Sequence, residues 1–361
     1  MKKLCLLLAM TLAVGLTGCH KSEADTKTET KQETSAVVDE TAEDVIAETD
    51  AVKIELSNSE ILVDGEKISE DTESAVYKAN DIIFYLEDQG IEYGEGTKKD
   101  EHSQIEADAH TVVHITEPGT YEISGTMDAG QIFVDLGDGT KDEKEAVATL
   151  ILNNADITCT VAPAILFYRT YECAEDVEEE DVTMDVDTTA AGANLVLADG
   201  SKNKVYGSYV AEIYESCELN EEGTEVVDSK KLHKYDGAVF SRRSMNISGS
   251  GKLEVVAEKE GIGSEMHMTI NGGDIKIKSG NDGINTSEDN ISVFTMNDGN
   301  VSIQVTGETG EGDGIDSNGW LIVNGGSVNA ASCATSKDAG IDADKGIYIN
   351  GGTVVASGNM A

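Results

Sequence analysis

Basic residues are scarce in this 361-residue sequence. Twenty-six lysines and arginines stand against 69 aspartates and glutamates, which gives a formal net charge of −43 at pH 7. Nucleic-acid binding depends on Lys and Arg side chains that neutralise phosphates, so this balance excludes ordinary nucleic-acid binding. It equally disfavours contact with anionic membrane surfaces and favours an extracellular acidic protein that needs counter-ions.

Cysteine is rare as well, with six residues in the chain. Cys5 lies inside an N-terminal apolar run and Cys19 lies just after it. The remaining cysteines show no C-x-x-C spacing, which argues against a zinc site, and they do not suggest a disulfide framework. A bridge between Cys173 and Cys217 stays open. The four remaining cysteines are Cys159, Cys173, Cys217 and Cys333.

Apolar runs are short. Lys2 and Lys3 precede Leu4–Thr17, a run that is too short to span a bilayer and is typical of a secretion signal. The following Leu16-Thr17-Gly18-Cys19 is similar to the bacterial lipoprotein cleavage box, whose cysteine becomes N-terminal and lipid-modified. We expect residues 1–19 to be a lipoprotein signal peptide with Cys19 as the lipid-attachment residue. An ordinary secretion signal with a chance cysteine is the alternative.

Residues 20–50 contain no aromatic side chain and are rich in Thr, Glu, Asp, Lys and Ala. Such a composition cannot bury enough apolar surface to fold. We therefore expect a disordered acidic linker between the lipid-modified cysteine and the domain that follows. A cysteine that carries two long acyl chains is enough for stable anchoring.

Glycine is abundant, with 37 residues beside 2 prolines and 5% aromatic residues, which suits many tight turns between short strands. A short phrase recurs three times: Asp282-Gly283-Ile284-Asn285, Asp313-Gly314-Ile315-Asp316 and Ala339-Gly340-Ile341-Asp342. Each phrase precedes an alternating run and a small Gly-containing turn, and two further repeats can be traced upstream. The turns recur about every 23 to 27 residues, a period that indicates stacked structural units.

Two runs of alternating polarity flank each turn, and no helical pattern lies between them. Aligned on the turns, apolar positions persist through five repeats, and the Gly-Ile phrase supplies a third short strand. The sequence therefore predicts an all-β fold, a right-handed parallel β-helix with three short strands per coil over residues 51–361. The three columns are Met245, Met268, Phe294, Leu321, Ile347; Ile247, Ile270, Met296, Val323, Ile349; and Leu253, Ile275, Val301, Val328, Val354.

Two segments interrupt this pattern, near 169–193 and 206–236, and we expect both to be loops that leave the solenoid. The first contains Glu172–Asp187, with nine carboxylates and no basic residue. Residues Ala75–Leu86 fit a short helix or a strand equally well. No capping element is visible after the last repeat, so we expect the C-terminal cap to be missing.

The repeat phrases align acidic side chains between coils. Neighbouring coils lie about 4.8 Å apart, and two carboxylates at that spacing repel by about 3 to 4 kcal/mol at an effective dielectric of 20. A hard cation with oxygen ligands would relieve this repulsion. The sequence predicts bound calcium; ordinary Asp-Gly and Asn-Gly turn chemistry is the alternative. The predicted ligands are Asp282, Asn285, Asp313, Asp316, Asp338 and Asp342.

Two aromatic residues are predicted to face outward on the last coils. Because Leu321 and Val323 point inward, Trp320 and Ile322 point outward, and Tyr348 occupies the position of Ile322 one coil later. An exposed Trp beside an exposed Tyr on a rigid sheet suits stacking on a sugar ring. A protein interface or a missing cap is the alternative.

Catalysis is the weaker hypothesis. A pair of carboxylates suited to glycoside hydrolysis is always available among 69 acidic residues, so its presence carries no information. A lyase would need a strong base near calcium, and of the three arginines, Arg169, Arg242 and Arg243, only the last two lie near the repeat face.

The chain from about residue 52 onward resembles the clostridial-type bacterial carbohydrate-binding domain-containing proteins. The resemblance rests on the repeats and on Thr120-Tyr121-Glu122-Ile123-Ser124-Gly125-Thr126, Gly130-Gln131-Ile132-Phe133-Val134-Asp135 and Ala162-Pro163-Ala164-Ile165. That family is described as cellulose- and pectin-binding. The resemblance implies a pectate-lyase-like right-handed β-helix, calcium at the repeat aspartates, and binding of plant-wall or other acidic polysaccharide without established lyase activity. The two insertions and the absent C-terminal continuation depart from the family.

Together these features predict a lipid-anchored, monomeric lipoprotein on the extracellular face of the cell membrane. We expect it to bind polysaccharide through a calcium-stabilised β-helix and to make no contact with nucleic acid. Because an acidic protein repels polyuronate, calcium would have to bridge carboxylates of both partners. A calcium-dependent polysaccharide lyase and a structural surface protein without glycan binding are the alternatives.

Overall fold

Short strands joined by glycine-containing turns form almost all of the regular structure. A computed structural model describes residues 51–174, 182–307 and 312–359. The predicted signal peptide, the linker and Cys19 lie outside these residues, as does part of the acidic insertion. Helical structure in the described ranges is limited to α1 (Gln104–Asp108) and a 3₁₀ turn at Thr140–Asp142. None of the described helices is long and apolar enough to cross a membrane.

The strands are numbered in chain order. Those before residue 170 are β1 (Val52–Leu56), β2 (Leu62–Val63), β3 (Glu66–Lys67), β4 (Val76–Ala79), β5 (Thr111–Ile115), β6 (Gly119–Met127), β7 (Gly130–Asp135), β8 (Ala148–Thr158) and β9 (Ile165–Arg169). Those of the middle region are β10 (Ala193–Leu197), β11 (Lys202–Gly207), β12 (Val210–Leu219), β13 (Val226–Tyr235), β14 (Gly237–Ser241), β15 (Met245–Gly249), β16 (Lys252–Ala257), β17 (Glu260–Ser264) and β18 (Met268–Ile270). The last are β19 (Asp274–Ser279), β20 (Ile284–Thr286), β21 (Val293–Met296), β22 (Asn300–Val305), β23 (Ile315–Ser317), β24 (Trp320–Val323), β25 (Ser327–Ala331), β26 (Gly346–Ile349) and β27 (Thr353–Ser357).

Equivalent strands of successive repeats pair in parallel. In one series β15 pairs with β18, β18 with β21, β21 with β24 and β24 with β26. A second series links β11, β16, β19, β22, β25 and β27. Both series belong to one large sheet, and the third strand of each repeat joins a separate sheet in the order β23-β20-β17-β14-β9-β7-β5-β4. The predicted all-β class is confirmed.

The predicted apolar columns are the core. Met245 is in register with Met268, Met268 with Phe294, Phe294 with Leu321, and Leu321 with Ile347. The first four of these side chains are fully buried. Ile347 is 40% exposed, because no later strand in the described residues covers it. Each repeat therefore gains its hydrophobic stabilisation mainly from its two neighbours.

Asparagine amides stack at the turns between the two series. Asn297 donates its Nδ2 hydrogen to Oδ1 of Asn271 at 2.8 Å, Asn324 to Asn297 at 2.9 Å, and Asn350 to Asn324 at 2.8 Å. Side chains at equivalent turn positions come close enough for this only if the repeats stay in register. The ladder therefore holds the turns at a constant register.

The antiparallel pairings lie outside the repeats. β1 pairs with β2 and β2 with β3 near the start of the domain, and β4 pairs with β5. The ambiguous segment at residues 75–86 thus begins as a strand. The 206–236 insertion contains the antiparallel hairpin β12–β13. Cys173 and Cys217, whose pairing was left open, are both free.

Truncation of a buried column should destabilise the whole stack. We expect Phe294→Ala to lower the free energy of unfolding by about 3 to 5 kcal/mol, because it leaves a cavity between two coils. Urea denaturation followed by circular dichroism measures this. The control Thr295→Ala, on the opposite face of the same strand, should change stability by about 0.5 kcal/mol or less. Equal effects of the two substitutions would contradict the assignment of inner and outer faces.

Candidate functional site

The repeat phrases stack along the smaller sheet. Gly261 donates its N–H to the Asp282 carbonyl at 2.9 Å, and Gly283 donates to the Asp313 carbonyl at 3.0 Å. A Cβ at Gly283 would lie 2.2 Å from Cγ2 of Ile303 and 2.5 Å from the Gly314 carbonyl oxygen. Only glycine allows the backbones to approach this closely. The phrase thus positions its flanking acidic residues on successive coils.

Three of the predicted ligands come together at the last of these coils. One carboxylate oxygen from each of Asp313, Asp316 and Asp342 lies within 4.8 Å of the others. Asn285 is in direct register with Asp316 on the neighbouring strand. These three carboxylates, which we call the acid triad, form no ion pair with a described lysine, arginine or histidine.

Burial and mutual repulsion raise the pKa values of two members of the acid triad, Asp313 and Asp316. Desolvation by burial, followed by the charges of Asp282, Asp313 and neighbouring aspartates, raises the pKa of Asp316 to about 8. Burial likewise raises the pKa of Asp313 to about 6. For Asp282, one coil earlier, burial raises the pKa to about 7. At neutral pH without a counter-ion, some of these three carboxyl groups are therefore protonated.

A buried amide oxygen on the strand next to Asp316 has no hydrogen-bond partner. Asn285 is 9% exposed, and its Nδ2 group donates to Oε1 of Glu260 at 3.1 Å. In this orientation of the amide, Nδ2 faces the carboxyl group of Glu260. The opposite atom, Oδ1, is buried and has no hydrogen-bond partner. An unpaired buried acceptor costs about 1 to 3 kcal/mol, and a cation would satisfy it.

Asp282 and Asp338 are not members of the triad. Oδ1 of Asp282 accepts the backbone N–H of Asp313 at 2.6 Å, and Oδ2 of Asp338 accepts that of Gly312 at 2.7 Å. Each carboxylate therefore tethers the start of a neighbouring repeat phrase. Asp313 does the same for the N–H of Ala339.

The acidic positions that open successive repeat phrases form a row, which we call the acidic row: Asp236, Glu260, Asp282 and Asp313. Lysines that the sequence did not reveal neutralise its upstream end. Asp236 accepts from Lys259 Nζ at 2.5 Å and lies 3.2 Å from Lys234 Nζ. Glu260, on the next coil, is buried between carboxylates, and its pKa is raised well above the ordinary value, mainly by desolvation and then by Asp236 and Asp282. Lys259 directly precedes Glu260 in the sequence. This adjacency was the sequence signal that could have indicated a lysine beside the acidic row. Along the stack, the acidic row thus begins with a carboxylate that pairs with lysines and ends at carboxylates that have no lysine partner among the described residues.

The predicted aromatic residues share an outward face on β24 and β26. Trp320 is half-buried and in register with Gly346, while Tyr348 is in register with Ile322 and is 40% exposed. The Tyr348 ring leans over Gly346, within 3.3 Å of where a Cβ would stand. The two aromatic side chains are therefore diagonal neighbours. Lys345 Nζ lies 5.4 Å from the centre of the Trp320 ring, a contact that the sequence analysis missed.

A second aromatic group, also missed, lies on the smaller sheet upstream of the acidic row. The Tyr168 ring lies between the guanidinium groups of Arg242 and Arg169, at 5.1 and 5.4 Å. Arg242 is held by Glu265 at 3.2 Å, and Arg169 by Asp135 and Asp138. These arginines are engaged in structural ion pairs. The contact between Tyr168 and Arg242 joins residues far apart in the sequence, so the repeat period could not indicate it.

A protein from Acetivibrio thermocellus described as a carbohydrate-binding domain-containing protein is 32% identical over 168 residues, 46% of this chain and 45% of that protein. The chain thus matches less than half of that relative's length. A solved polysaccharide lyase-like protein from C. thermocellum, a gadolinium derivative, aligns over 86% of this chain and 100% of its own at 21% identity and a TM-score of 0.46.

The sequence profile of one family matches residues 109–360. This span includes the acid triad, Asn285, Trp320 and Tyr348, and it covers most of the domain described above. The chain belongs to the carbohydrate-binding domain-containing protein family.

Proposed function

We propose that the protein binds acidic polysaccharide through calcium held at the acid triad. The observation that carries this proposal is the buried, unpartnered Oδ1 of Asn285 beside three clustered carboxylates. Carboxylate and amide oxygens are the ligand types that calcium prefers. Family membership supports carbohydrate binding in general.

In this proposal Asp313, Asp316, Asp342 and Oδ1 of Asn285 hold the ion. Asp282 and Asp338 orient the neighbouring backbone through the hydrogen bonds described above. Bound calcium would offset the carboxylate repulsion and offer open coordination positions to carboxylates of a uronic-acid glycan. The ion therefore links the acidic protein to an acidic ligand that it would otherwise repel.

We further propose that residues 51–361 wind as a right-handed parallel β-helix. Parallel, in-register pairing of equivalent strands over successive repeats supports this, and crossovers between parallel strands are right-handed in about 98% of cases. The outward Trp320 and Tyr348 would stack on sugar rings next to this frame. Residues 1–19 would direct export, Cys19 would carry the lipid, and residues 20–50 would space the domain from the extracellular face of the membrane.

Metal-free stability should depend on pH. An Asp in an unfolded chain has a pKa of about 3.9, so raised folded values of about 8 for Asp316 and about 7 for Asp282 mean that the folded state binds extra protons. That stability is complete below pH 4 and is lost as pH rises towards 8. In EDTA we expect a lower melting temperature at pH 8.5 than at pH 5.5, with calcium raising it mainly at pH 8.5.

Asp316→Asn should flatten this pH dependence, because it removes a carboxyl whose pKa is raised to about 8. Asp298→Asn, an exposed turn position with the same change of charge, is the control and should retain the wild-type slope. If both variants behave alike, the dependence comes from the overall net charge and not from the triad.

Calcium affinity itself tests the ligand assignment. We expect Asp316→Asn and Asn285→Ala each to weaken calcium binding about 10- to 100-fold by isothermal titration calorimetry. The calcium-dependent retention of the protein on polygalacturonate should fall in parallel, and EDTA should abolish that component in the wild type. Retention that responds to calcium equally in wild type and both variants would place the ion elsewhere.

Trp320→Ala tests the aromatic contact. If the ring stacks on sugar, the variant should lose binding to neutral glycans on an array, by a factor of about 5 to 10 for a single aromatic contact, while its calcium affinity stays unchanged. Phe84→Ala, at another half-buried aromatic position, controls for lost packing. An unchanged array profile for Trp320→Ala would remove this contact from the proposal.

A further inference from the structure

A flat, exposed face of the larger sheet carries an unusual concentration of lysine. The outward positions of β11, β16 and β19 form a three-by-three lattice, because these strands pair in register. We call this lattice the lysine face. Its rows, read across the three strands, are Lys202, Lys252, Asp274; Lys204, Glu254, Lys276; and Tyr206, Val256, Lys278.

The lysine face is positive in a strongly negative protein. It holds five lysines and two carboxylates, whereas the chain carries a formal charge of −43. Lys202 and Lys252 stand directly opposite each other on adjacent strands. Like charges in that position are destabilising in a sheet. The arrangement therefore costs stability unless an anion lies over it.

Internal ion pairs do not account for all of these lysines. Lys252 pairs with Asp274 at 2.5 Å, and Lys204 lies 3.8 Å from Asp156 at the border of the lattice. Lys276 and Lys278 are exposed, and neither has a carboxylate within ion-pairing distance among the residues that the structure describes. Two charges on the same side of β19 are thus available to a ligand.

The surroundings of the lysine face suit a long ligand. The sheet continues through β22, β25 and β27, whose outward positions carry no charge. These positions offer mainly hydroxyl and amide groups, which can donate to and accept from sugar hydroxyls. They are Asn300, Ser302, Gln304, Ser327, Asn329, Ala331, Thr353, Val355 and Ser357.

We propose that the lysine face binds an anionic polysaccharide chain, a polyuronate, by direct contact and without calcium. The inference rests on the proposed function for its glycan class, and it adds a second site on a different sheet. Positive charge on the face complements the carboxylates of the ligand, while most of the remaining surface repels them. The protein would then hold acidic glycan by two mechanisms, calcium bridging at the acid triad and ion pairing at the lysine face.

The two mechanisms separate in the presence of EDTA. At low ionic strength we expect polygalacturonate to retain the wild-type protein even in EDTA, and added salt to release it because salt screens exposed charges. Lys276→Gln combined with Lys278→Gln should weaken this retention about 4- to 25-fold, since each exposed charge contact is worth roughly a factor of 2 to 5. Surface plasmon resonance on immobilised polymer measures the effect.

Three controls make the outcome decisive. Lys53→Gln combined with Lys67→Gln changes the charge equally at exposed strand positions and should bind as the wild type does. Asp313→Asn combined with Asp316→Asn should lose the calcium-dependent component and keep the EDTA-resistant one. Carboxyl-reduced polygalacturonate, which keeps the backbone and lacks the charge, should not be retained in EDTA.

Several results would overturn the proposal. They are the absence of any EDTA-resistant binding in the wild type, an equal loss in both lysine double variants, and equal affinity for double-stranded DNA. Equal affinity for DNA would show that the lysine face binds any polyanion and is not a glycan site. Circular dichroism melts of each variant confirm that the fold is intact. A wild-type protein that shows EDTA-resistant binding and no calcium-dependent component would instead count against the proposed function.

Discussion

In-register parallel stacking governs this structure, because it places equivalent residues of successive repeats about 4.8 Å apart. The side chain at a given position of one repeat therefore lies next to the equivalent side chains of the neighbouring repeats. Apolar columns such as Met268, Phe294 and Leu321 gain continuous burial from this rule. Asparagines at the turns gain a hydrogen-bonded ladder. The same stacking makes a charge that recurs at one position energetically unfavourable, because the like charges repel each other.

Along the acidic row, the repulsion between carboxylates is compensated in different ways. Near its start, Lys234 and Lys259 flank Asp236 and neutralise it. Further along, Asp282 and Asp338 accept backbone N–H groups, which stabilises the carboxylates without removing their charge. At the acid triad neither compensation is complete, so the pKa values rise. Incomplete compensation is typical of a place where a ligand supplies the missing charge.

The distribution of charge over the two sheets follows the same logic. Acidic side chains gather on the smaller sheet at the Gly-Ile phrases, and lysines gather on the outward positions of β11, β16 and β19. Each cluster brings like charges close together, and a bound partner of opposite charge would stabilise each of them. A polyanion and a divalent cation are complementary to these two surfaces.

The sequence alone determined the all-β class, the inward columns, the stacking of the repeats and the set of aligned acidic residues from which the acid triad is drawn. It could do so because the period of the repeats converts positions about 25 residues apart into contacts. The same periodicity correctly placed Trp320 and Tyr348 on one outward face.

Only the tertiary structure decided which of the aligned acids converge and which are already engaged. Asp282 and Asp338 each accept a backbone N–H, as Asp313 also does, whereas the carboxylates of Asp313, Asp316 and Asp342 converge. The unpartnered Oδ1 of Asn285 and the contact of Lys345 with Trp320 depend on side-chain orientation, which no repeat encodes. The pairing of Arg242 and Tyr168 likewise joins residues 74 positions apart in the sequence, where periodicity gives no information.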